Sequence, residues 1–214
     1  MKKTVFILAS VLMLSTNVLF AGSKPSGGGG NLMEEGKNAV DLYYGFPNLW
    51  TAVLRSAYEN TSGIQTNFSV TGFGPIGGRF EHMMSDKIGL GAEVNYSTTS
   101  VKYTEATTTG TTAGIYDYRF SYTRIRIMGA FALHFGQSEH FDAFWAVRAG
   151  YSSKTYSQST TDPNYTSISV KGLSPLAFRT AIGVRYFFTP NVGLNAEIGI
   201  GGGPLMTAGV SFGF

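Results

Sequence analysis

Residues 204–214 read PLMTAGVSFGF, and this stretch decides the fold. From Met206 to Phe214 every second residue is apolar, and the residues between them are small or polar. Strict alternation of this kind is typical of a strand with two different faces. Because the sequence ends there on an aromatic residue, we expect lipid rather than protein to cover the apolar face. A closed β-barrel meets this expectation, since closure removes free edges and the bilayer contacts the apolar exterior.

Seven further stretches show the same period of two. They are residues 40–46, 68–84, 88–97, 124–135, 141–151, 178–188 and 192–200. In the stretch 68–84 we place Phe68, Val70 and Ile76 on the outer face and Phe73 on the inner face. Together with the final stretch they predict an all-β fold, an eight-stranded antiparallel up-and-down transmembrane barrel over residues 38–214.

The connections between these stretches alternate in length. Residues 85–87, 136–140 and 189–191 predict short polar turns, whereas residues 48–67, 104–114 and 157–172 predict longer loops. Short turns at one rim and longer loops at the other are typical of outer-membrane barrels. The glycine run 201–203 is a short connection on the loop side.

Residues 49–60 in the first loop are ambiguous. Leu49, Val53 and Leu54 fit one face of a helix that Asn48 would cap. Trp50 and Leu54 fit a ninth strand instead. We favour a short helix, because an even number of strands returns both termini to the short-turn side.

Placing the apolar rows outside puts a balanced set of charges inside the barrel. This set comprises Asp41, Arg79, Glu81, Glu93, Arg124, Arg126, Asp142, Arg148, Arg179, Arg185 and Glu197. Every base in it is arginine, whose planar fork suits buried pairing with carboxylates. The interior of an eight-stranded barrel is about filled by side chains. We therefore expect arginine–carboxylate pairs to plug the lumen, with a small low-conductance pore for ions or small solutes as the alternative.

Aromatic residues cluster near both ends of the predicted strands. Those toward the loops are Tyr96, Tyr103, Tyr116, Tyr118, Tyr122, Tyr151 and Tyr156, and those toward the turns are Phe80, Phe135, Phe141, Trp145, Tyr186, Phe188 and Phe214. Membrane barrels carry such rings at both interfaces. The sequence therefore predicts two aromatic rings around the barrel.

The eight segments and the final strand resemble the small eight-stranded outer-membrane barrels, whose best-known members are the OmpA transmembrane domain and OmpX. The resemblance covers roughly residues 38–214 and implies the bacterial outer membrane, with its lipid and lipopolysaccharide as partners. Ala208, Val210, Phe212 and Phe214 resemble the signal that the barrel assembly machinery reads. Unlike OmpA, the sequence has no peptidoglycan-binding domain after the barrel, so we do not expect peptidoglycan anchoring.

The first residues predict export. Residues 1–21 have the positive start, short apolar run and small final residue of a signal peptide. Residues 22–37 are rich in glycine and predict a flexible segment. Without Lys2 and Lys3 the net charge of +3 falls to nearly zero, which argues against a nucleic-acid partner. The chain has no cysteine, which excludes disulfides and a lipid anchor on cysteine.

Other motifs predict no cofactor, metal or catalysis. Gly72, Gly74 and Gly77 spell G-x-G-x-x-G, but Pro75 and the alternation after it predict a strand where a dinucleotide site needs a helix. His82, His134 and His140 lack the spacing of metal ligands. His134 lies four residues before Ser138 near the turn-side rim, away from the loops, so we predict no enzyme.

The loops carry the predicted function. Residues 104–114 are rich in threonine, and residues 157–169 are rich in serine, threonine and tyrosine. Tyrosine beside small polar residues forms adaptable contact surfaces. We expect a monomeric protein with a structural or surface-interaction (adhesin-like) role, whose extracellular ligand would bind through these loops.

Overall fold

The computed structural model describes residues 33–48, 51–52, 55–56, 65–109, 112–167 and 175–214. Its strands are β1 (Asn38–Phe46), β2 (Gln65–Ser85), β3 (Ile88–Thr109), β4 (Thr112–Gln137), β5 (Phe141–Thr160), β6 (Leu176–Phe187), β7 (Val192–Gly201) and β8 (Met206–Gly213). Each strand is antiparallel to the next, and β8 pairs with β1 to close the barrel. The predicted eight-stranded up-and-down barrel is confirmed. In this part of the chain we find no helix of the length and hydrophobicity that crossing a membrane requires.

The closing seam is a regular antiparallel ladder. Phe214 and Asn38 exchange backbone hydrogen bonds of 2.8 and 3.0 Å, and Val40 and Leu42 lie opposite Phe212 and Val210. The alternating final stretch therefore pairs on both sides, with β7 and with β1. This pairing satisfies its backbone groups, as a strand inside a bilayer requires.

Side chains alternate across the barrel wall as the sequence predicts. In β7, Ile198 is 54% exposed and Glu197 is 3% exposed. The same alternation runs through β6, where arginines point inward and Ile182 and Val184 point outward. The exterior is apolar and the interior charged, which reverses the arrangement of a soluble barrel.

Four strands continue beyond the barrel rim. β3 and β4 have 22 and 26 residues, whereas β6 and β8 have 12 and 8. The extended parts form what we call the projecting sheet, which comprises residues 65–73, 98–109, 112–123 and 152–160. It rises on the loop side, opposite the short turns at 86–87, 138–140 and 188–191.

The predicted loop over residues 104–114 is wrong. The register of β3 and β4 is unbroken from Thr98↔Thr123 through Thr104↔Asp117 to Thr109↔Thr112. The start of the predicted third loop is likewise strand, since β5 continues to Thr160. Both faces of these strands carry polar residues, so they lack the hydrophobic period that marks a strand in a sequence.

The upper half of β2 also differs from its predicted pattern. Val70 is 6% exposed and points inward, while Phe73 is 50% exposed and points outward. Register shifts against β3 flank this segment, with positive φ at Asn67 (54°) and Gly74 (76°). Each bulge adds a residue to one strand and so exchanges the faces of those that follow.

The first loop is partly described. Thr51, Ala52, Arg55 and Ser56 have helical backbone, although no continuous helix is among the described elements. Asn48 Oδ1 accepts a hydrogen bond from the Thr51 N–H (3.3 Å), and its carbonyl accepts one from Ala52 (3.0 Å), as an N-cap does. The other residues of the predicted 49–60 helix lie outside the described residues, so that helix stays a prediction.

The end of the predicted flexible segment is packed against the turn-side rim. The Met33 side chain is buried against Ala39 and Met83, and the Met33 carbonyl accepts a hydrogen bond from Gln137 (2.8 Å). Gly36 donates its N–H to the Met83 carbonyl (2.9 Å). Met33 therefore contacts the barrel end, and the flexibility predicted for residues 22–37 stays a prediction. The predicted signal peptide and residues 22–32 lie outside the described residues.

Candidate functional site

Arg185 organises the lower half of the lumen, nearest the turns. Its guanidinium contacts three carboxylates: Asp41 Oδ2 at 3.0 Å, Glu81 Oε2 at 2.6 Å and Asp142 Oδ2 at 3.0 Å. The guanidinium carbon lies 4.5 Å from the centre of the Phe144 ring. Charge-assisted contacts of this kind are short and strong, and the ring fixes the plane of the fork.

His134 completes the lower cluster. Its Nδ1 lies 2.6 Å from Asp142 Oδ1, and its Nε2 lies 2.8 Å from Glu81 Oε1. If both carboxylates are ionised they can only accept hydrogen bonds, so both ring nitrogens would then donate and the ring would be a cation. His134 is not among the lumen charges that the sequence predicts. Its parity in β4, and Asp142 just across the β4–β5 turn, were the available signals.

Glu197 organises the upper half of the lumen. Arg148 binds it through two contacts, Nη1–Oε1 at 3.0 Å and Nη2–Oε2 at 2.7 Å. Arg179 Nη2 lies 3.0 Å from Oε1, and Arg179 Nη1 also donates to the carbonyl of Pro204. The bidentate pair matches the planar geometries of guanidinium and carboxylate.

Arg79 joins the two clusters. It lies 3.2 Å from Glu93 Oε2, 3.5 Å from Glu197 Oε2 and 3.6 Å from Asp41 Oδ2. Its guanidinium lies over the ring of Tyr43, whose hydroxyl donates to Glu93 Oε1 (2.6 Å). The result is one lumen network, comprising Asp41, Arg79, Glu81, Glu93, His134, Asp142, Arg148, Arg179, Arg185 and Glu197.

With His134 as a cation, charges within the lumen network balance. Its five carboxylates face four arginines and the His134 ring, and every member is buried. The structure thus brings together nine of the eleven charged residues chosen from the sequence. Arg126 lies above them and donates to Asn95 Oδ1 (3.0 Å), while Arg124 is half-buried with its guanidinium 5.5 Å from the Tyr122 ring.

Little space remains around the lumen network. A side chain at Gly77, Gly89 or Gly183 would overlap Tyr43, Glu81 or Phe144 respectively. The cavity beside Arg79, Arg148 and Arg185 has a volume of about 20 Å³, which holds about one water molecule. Large side chains and glycines therefore fit together to fill the lumen.

The outer surface carries an aromatic ring at each end. Phe80, Phe135, Phe141, Trp145, Tyr186 and Phe188 are exposed near the turns. Near the other rim Phe73 contacts Tyr44 and Tyr96, each with ring centres 6.4 Å apart, and Tyr151 is exposed. From Phe141 to Tyr151 a strand rises about 33 Å, or ~25 Å along the membrane normal at the usual tilt, which matches the apolar band of membrane barrels.

Several tyrosines predicted for the upper ring lie elsewhere. Tyr103 stacks on Tyr118 with ring centres 5.1 Å apart, and Phe120 stacks on Tyr156 at 6.2 Å. In the alternation along their strands they fall on the same side as the lumen residues Arg126 and Ser152. They therefore lie on the inner face of the projecting sheet and do not belong to a lipid-facing ring. Tyr165 packs edge-on against this cluster.

The outer face of the projecting sheet is polar. Hydroxyl pairs cross from β3 to β4 at Thr98–Thr123 (3.2 Å) and Ser100–Ser121 (2.8 Å). Above them lies a cleft of about 430 Å³ between side chains of β2 to β5. This cleft is far larger than the space in the lumen.

Residues weighed for catalysis and metal binding are not assembled into such sites. Ser138 Oγ accepts a hydrogen bond from the Phe141 N–H (3.1 Å) within its turn, and His134 is held by two carboxylates. Within the described ranges no cluster of three or more His, Cys, Asp or Glu side chains is arranged to hold a metal ion. The G-x-G-x-x-G motif lies within β2.

Comparison with known proteins finds similar solved structures but no matching sequence. No protein-family model and no curated protein sequence matches this chain. Similar solved structures include the N-terminal barrel domain of Pseudomonas aeruginosa OprF, with 12% identity, a TM-score of 0.38, and coverage of 85% of this chain and 99% of that one. Another is the outer membrane protein OprG from Pseudomonas aeruginosa, with 12% identity, a TM-score of 0.45, and coverage of 85% of this chain and 97% of that one. A third is Ail, the attachment invasion locus protein of Yersinia pestis, with 9% identity, a TM-score of 0.38, and coverage of 84% of this chain and 99% of that one.

The environment of the barrel follows from its own two faces. An apolar exterior bounded by two aromatic rings is stable in contact with lipid, and closure gives each described strand two neighbours within the barrel wall. The charged residues of the lumen network are turned inward and paired. The molecule is therefore a transmembrane barrel of the outer-membrane type.

Proposed function

We propose that this chain is a monomeric bacterial outer-membrane barrel with a structural and surface-interaction (adhesin-like) role. The observation that supports this role is the filled, charge-balanced lumen network. A lumen closed in this way leaves the ends of the barrel to carry function. The larger of these ends is the projecting sheet.

The orientation follows the usual arrangement of such barrels. Short turns face the periplasm and longer segments face outward. Here Met33, in the predicted flexible segment 22–37 that follows the signal peptide, also contacts the turn-side rim. The projecting sheet would then stand outside the cell.

The projecting sheet suits contact with another surface. Tyr103, Tyr118, Phe120 and Tyr156 stack on its inner face, and two hydroxyl pairs cross its outer face below the cleft. Tyrosine and small polar residues supply contact area and hydrogen bonds at low entropic cost. Continuous strands in place of the predicted loop hold this surface in a regular register.

Adhesion of expressing cells tests the surface-interaction role. Replacing residues 105–116 by an Asn-Gly turn joins the register partners Thr104 and Asp117 and removes the tip of the β3–β4 hairpin. We expect cells with the full barrel to adhere to cultured epithelial cells or matrix-coated plates above a vector control, and cells with the shortened variant to lose this adhesion. Equal adhesion by all three would contradict the role, provided surface levels match.

Planar-bilayer recording tests the sealed lumen against the pore alternative. We expect the purified barrel to give no steady channels, because the ion pairs leave room for about one water molecule. Steady channels whose conductance changes on Arg148→Ala would support a pore. The proposed role involves no catalysis, so lipid A or peptide turnover lost on His134→Ala would also contradict it.

A further inference from the structure

The cleft on the outer face of the projecting sheet contains two cations side by side. Lys102 and Arg119 are register partners on β3 and β4, and both are exposed. Ser69 flanks Lys102 on β2, and Ser159 flanks Arg119 on β5. All four line the cleft of about 430 Å³, as a row of Ser, Lys, Arg and Ser across four strands.

Like charges directly opposite each other destabilise a sheet unless an anion lies between them. The acid nearest in register, Asp117, lies one row higher, opposite Thr104. Its Oδ1 accepts a hydrogen bond from Thr104 Oγ1 (2.9 Å), and its N–H donates to Thr161 Oγ1 (2.9 Å). With Asp117 included, the cleft keeps a net charge of +1, with serine hydroxyls on both sides of the cations.

The height and direction of the cleft indicate what it meets. Lys102 shares the outward face of β3 with Tyr96 of the upper aromatic ring, six residues below it. Six residues span about 20 Å of strand, or ~15 Å along the membrane normal at the usual tilt. With the projecting sheet on the outer side of the membrane, an outward-facing cleft at this height would face the saccharide layer of the surrounding lipopolysaccharide.

We propose that the Lys102–Arg119 cleft binds a phosphate group on the saccharide part of a lipopolysaccharide molecule in the same membrane. The guanidinium and ammonium groups supply charge, and the hydroxyls of Ser69 and Ser159 supply hydrogen bonds to the phosphate oxygens. This inference rests on the proposed function, because it requires the projecting sheet to lie on the outer side. It names a lateral partner for that sheet, in addition to any extracellular ligand.

Binding in zwitterionic detergent micelles tests the cleft without reference to orientation. The variant carries Lys102→Gln and Arg119→Gln, and the matched control carries Lys37→Gln and Lys87→Gln near the opposite rim. The probes are lipopolysaccharide with a phosphorylated core and the same material after chemical dephosphorylation. We expect the variant to bind the phosphorylated probe about tenfold more weakly than wild type, and the control to bind as wild type does.

Each other outcome overturns the proposal. If the wild type and the cleft variant bind the phosphorylated probe equally, the cleft is not the binding site. If the wild type binds the dephosphorylated probe as well as the phosphorylated one, the cleft does not recognise phosphate. Inorganic phosphate that binds the wild type while lipopolysaccharide does not would indicate a soluble anion. None of these results bears on cell adhesion or bilayer conductance, so the proposed function fails or stands separately.

Discussion

At the scale of single residues, Arg185 is the side chain on which the lower lumen depends. One guanidinium holds Asp41, Glu81 and Asp142 together, and two of these partners lie 144 and 104 residues away in the chain. Removing a buried partner leaves uncompensated charge, which costs far more than the net contribution of the pair. The contribution of the network to stability is therefore measured by substituting one of its members.

Arg185→Ala should lower the free energy of unfolding by about 3–5 kcal/mol, because it leaves three buried carboxylates with too few cations. Urea titration of the barrel in lipid vesicles measures this. Arg119→Ala, at an exposed arginine of the projecting sheet, should change stability by less than about 0.5 kcal/mol. Equal effects of the two substitutions would show that the lumen network is not a buried, coupled unit.

The glycines inside the barrel should be sensitive to an added methyl group wherever a large side chain fills their space. A Cβ at Gly183 would overlap the Phe144 ring, so Gly183→Ala should cost about 1–3 kcal/mol through overpacking. Gly78→Ala is the matched control, since its Cβ would make ordinary contact with Leu42. The same titration measures both, and a neutral Gly183→Ala would refute the close fit of the lumen.

At the scale of elements, the strands differ in how far their sequence determines them. β6 and β7 alternate without a break, so their inward and outward residues could be predicted one by one. Periodicity gave the inward face of each strand but not the register between strands. The pairing of Arg185 with Asp41 across 144 residues therefore became visible only in the folded barrel.

Two elements show why the rest could not be predicted. The bulges in β2 exchange Val70 and Phe73 between faces, because one extra residue reverses a period of two. In β3 and β4 the stretch 104–114 is polar on both faces, so its strands carry no pattern to detect. Lys102 and Arg119 flank this stretch, where the sequence shows no alternation. The cleft that they line was therefore not predicted.

The terminal strand β8 carries a prediction about assembly. Phe212→Ser with Phe214→Ser should reduce the amount of barrel in the outer membrane of cells while leaving folding in detergent nearly unchanged. The reason is that Ala208, Val210, Phe212 and Phe214 resemble the signal that the barrel assembly machinery reads, whereas β8 would keep its backbone pairing with β1 and β7. Membrane fractionation measures the first effect and circular dichroism the second. Wild-type levels in the membrane would contradict the assembly role.

At the scale of the whole molecule, closure and the lumen network together predict high resistance to detergent. Unboiled protein in dodecyl sulfate should migrate differently from boiled protein on a gel, because each strand of the closed barrel wall is paired on both sides. The Arg185→Ala variant should shift to the migration of boiled protein at a lower temperature than the wild type. Identical migration before and after boiling would exclude a stable barrel.

The central claim is the direction of the two faces, and single-cysteine spin labelling along β7 tests it most directly. The sequence contains no cysteine, so each label is unique. In lipid vesicles, labels at Leu194, Ala196 and Ile198 should collide with oxygen dissolved in the bilayer, and labels at Asn195 and Glu197 should be shielded. The opposite alternation, with Glu197 accessible from outside and Ile198 packed within, would contradict the account.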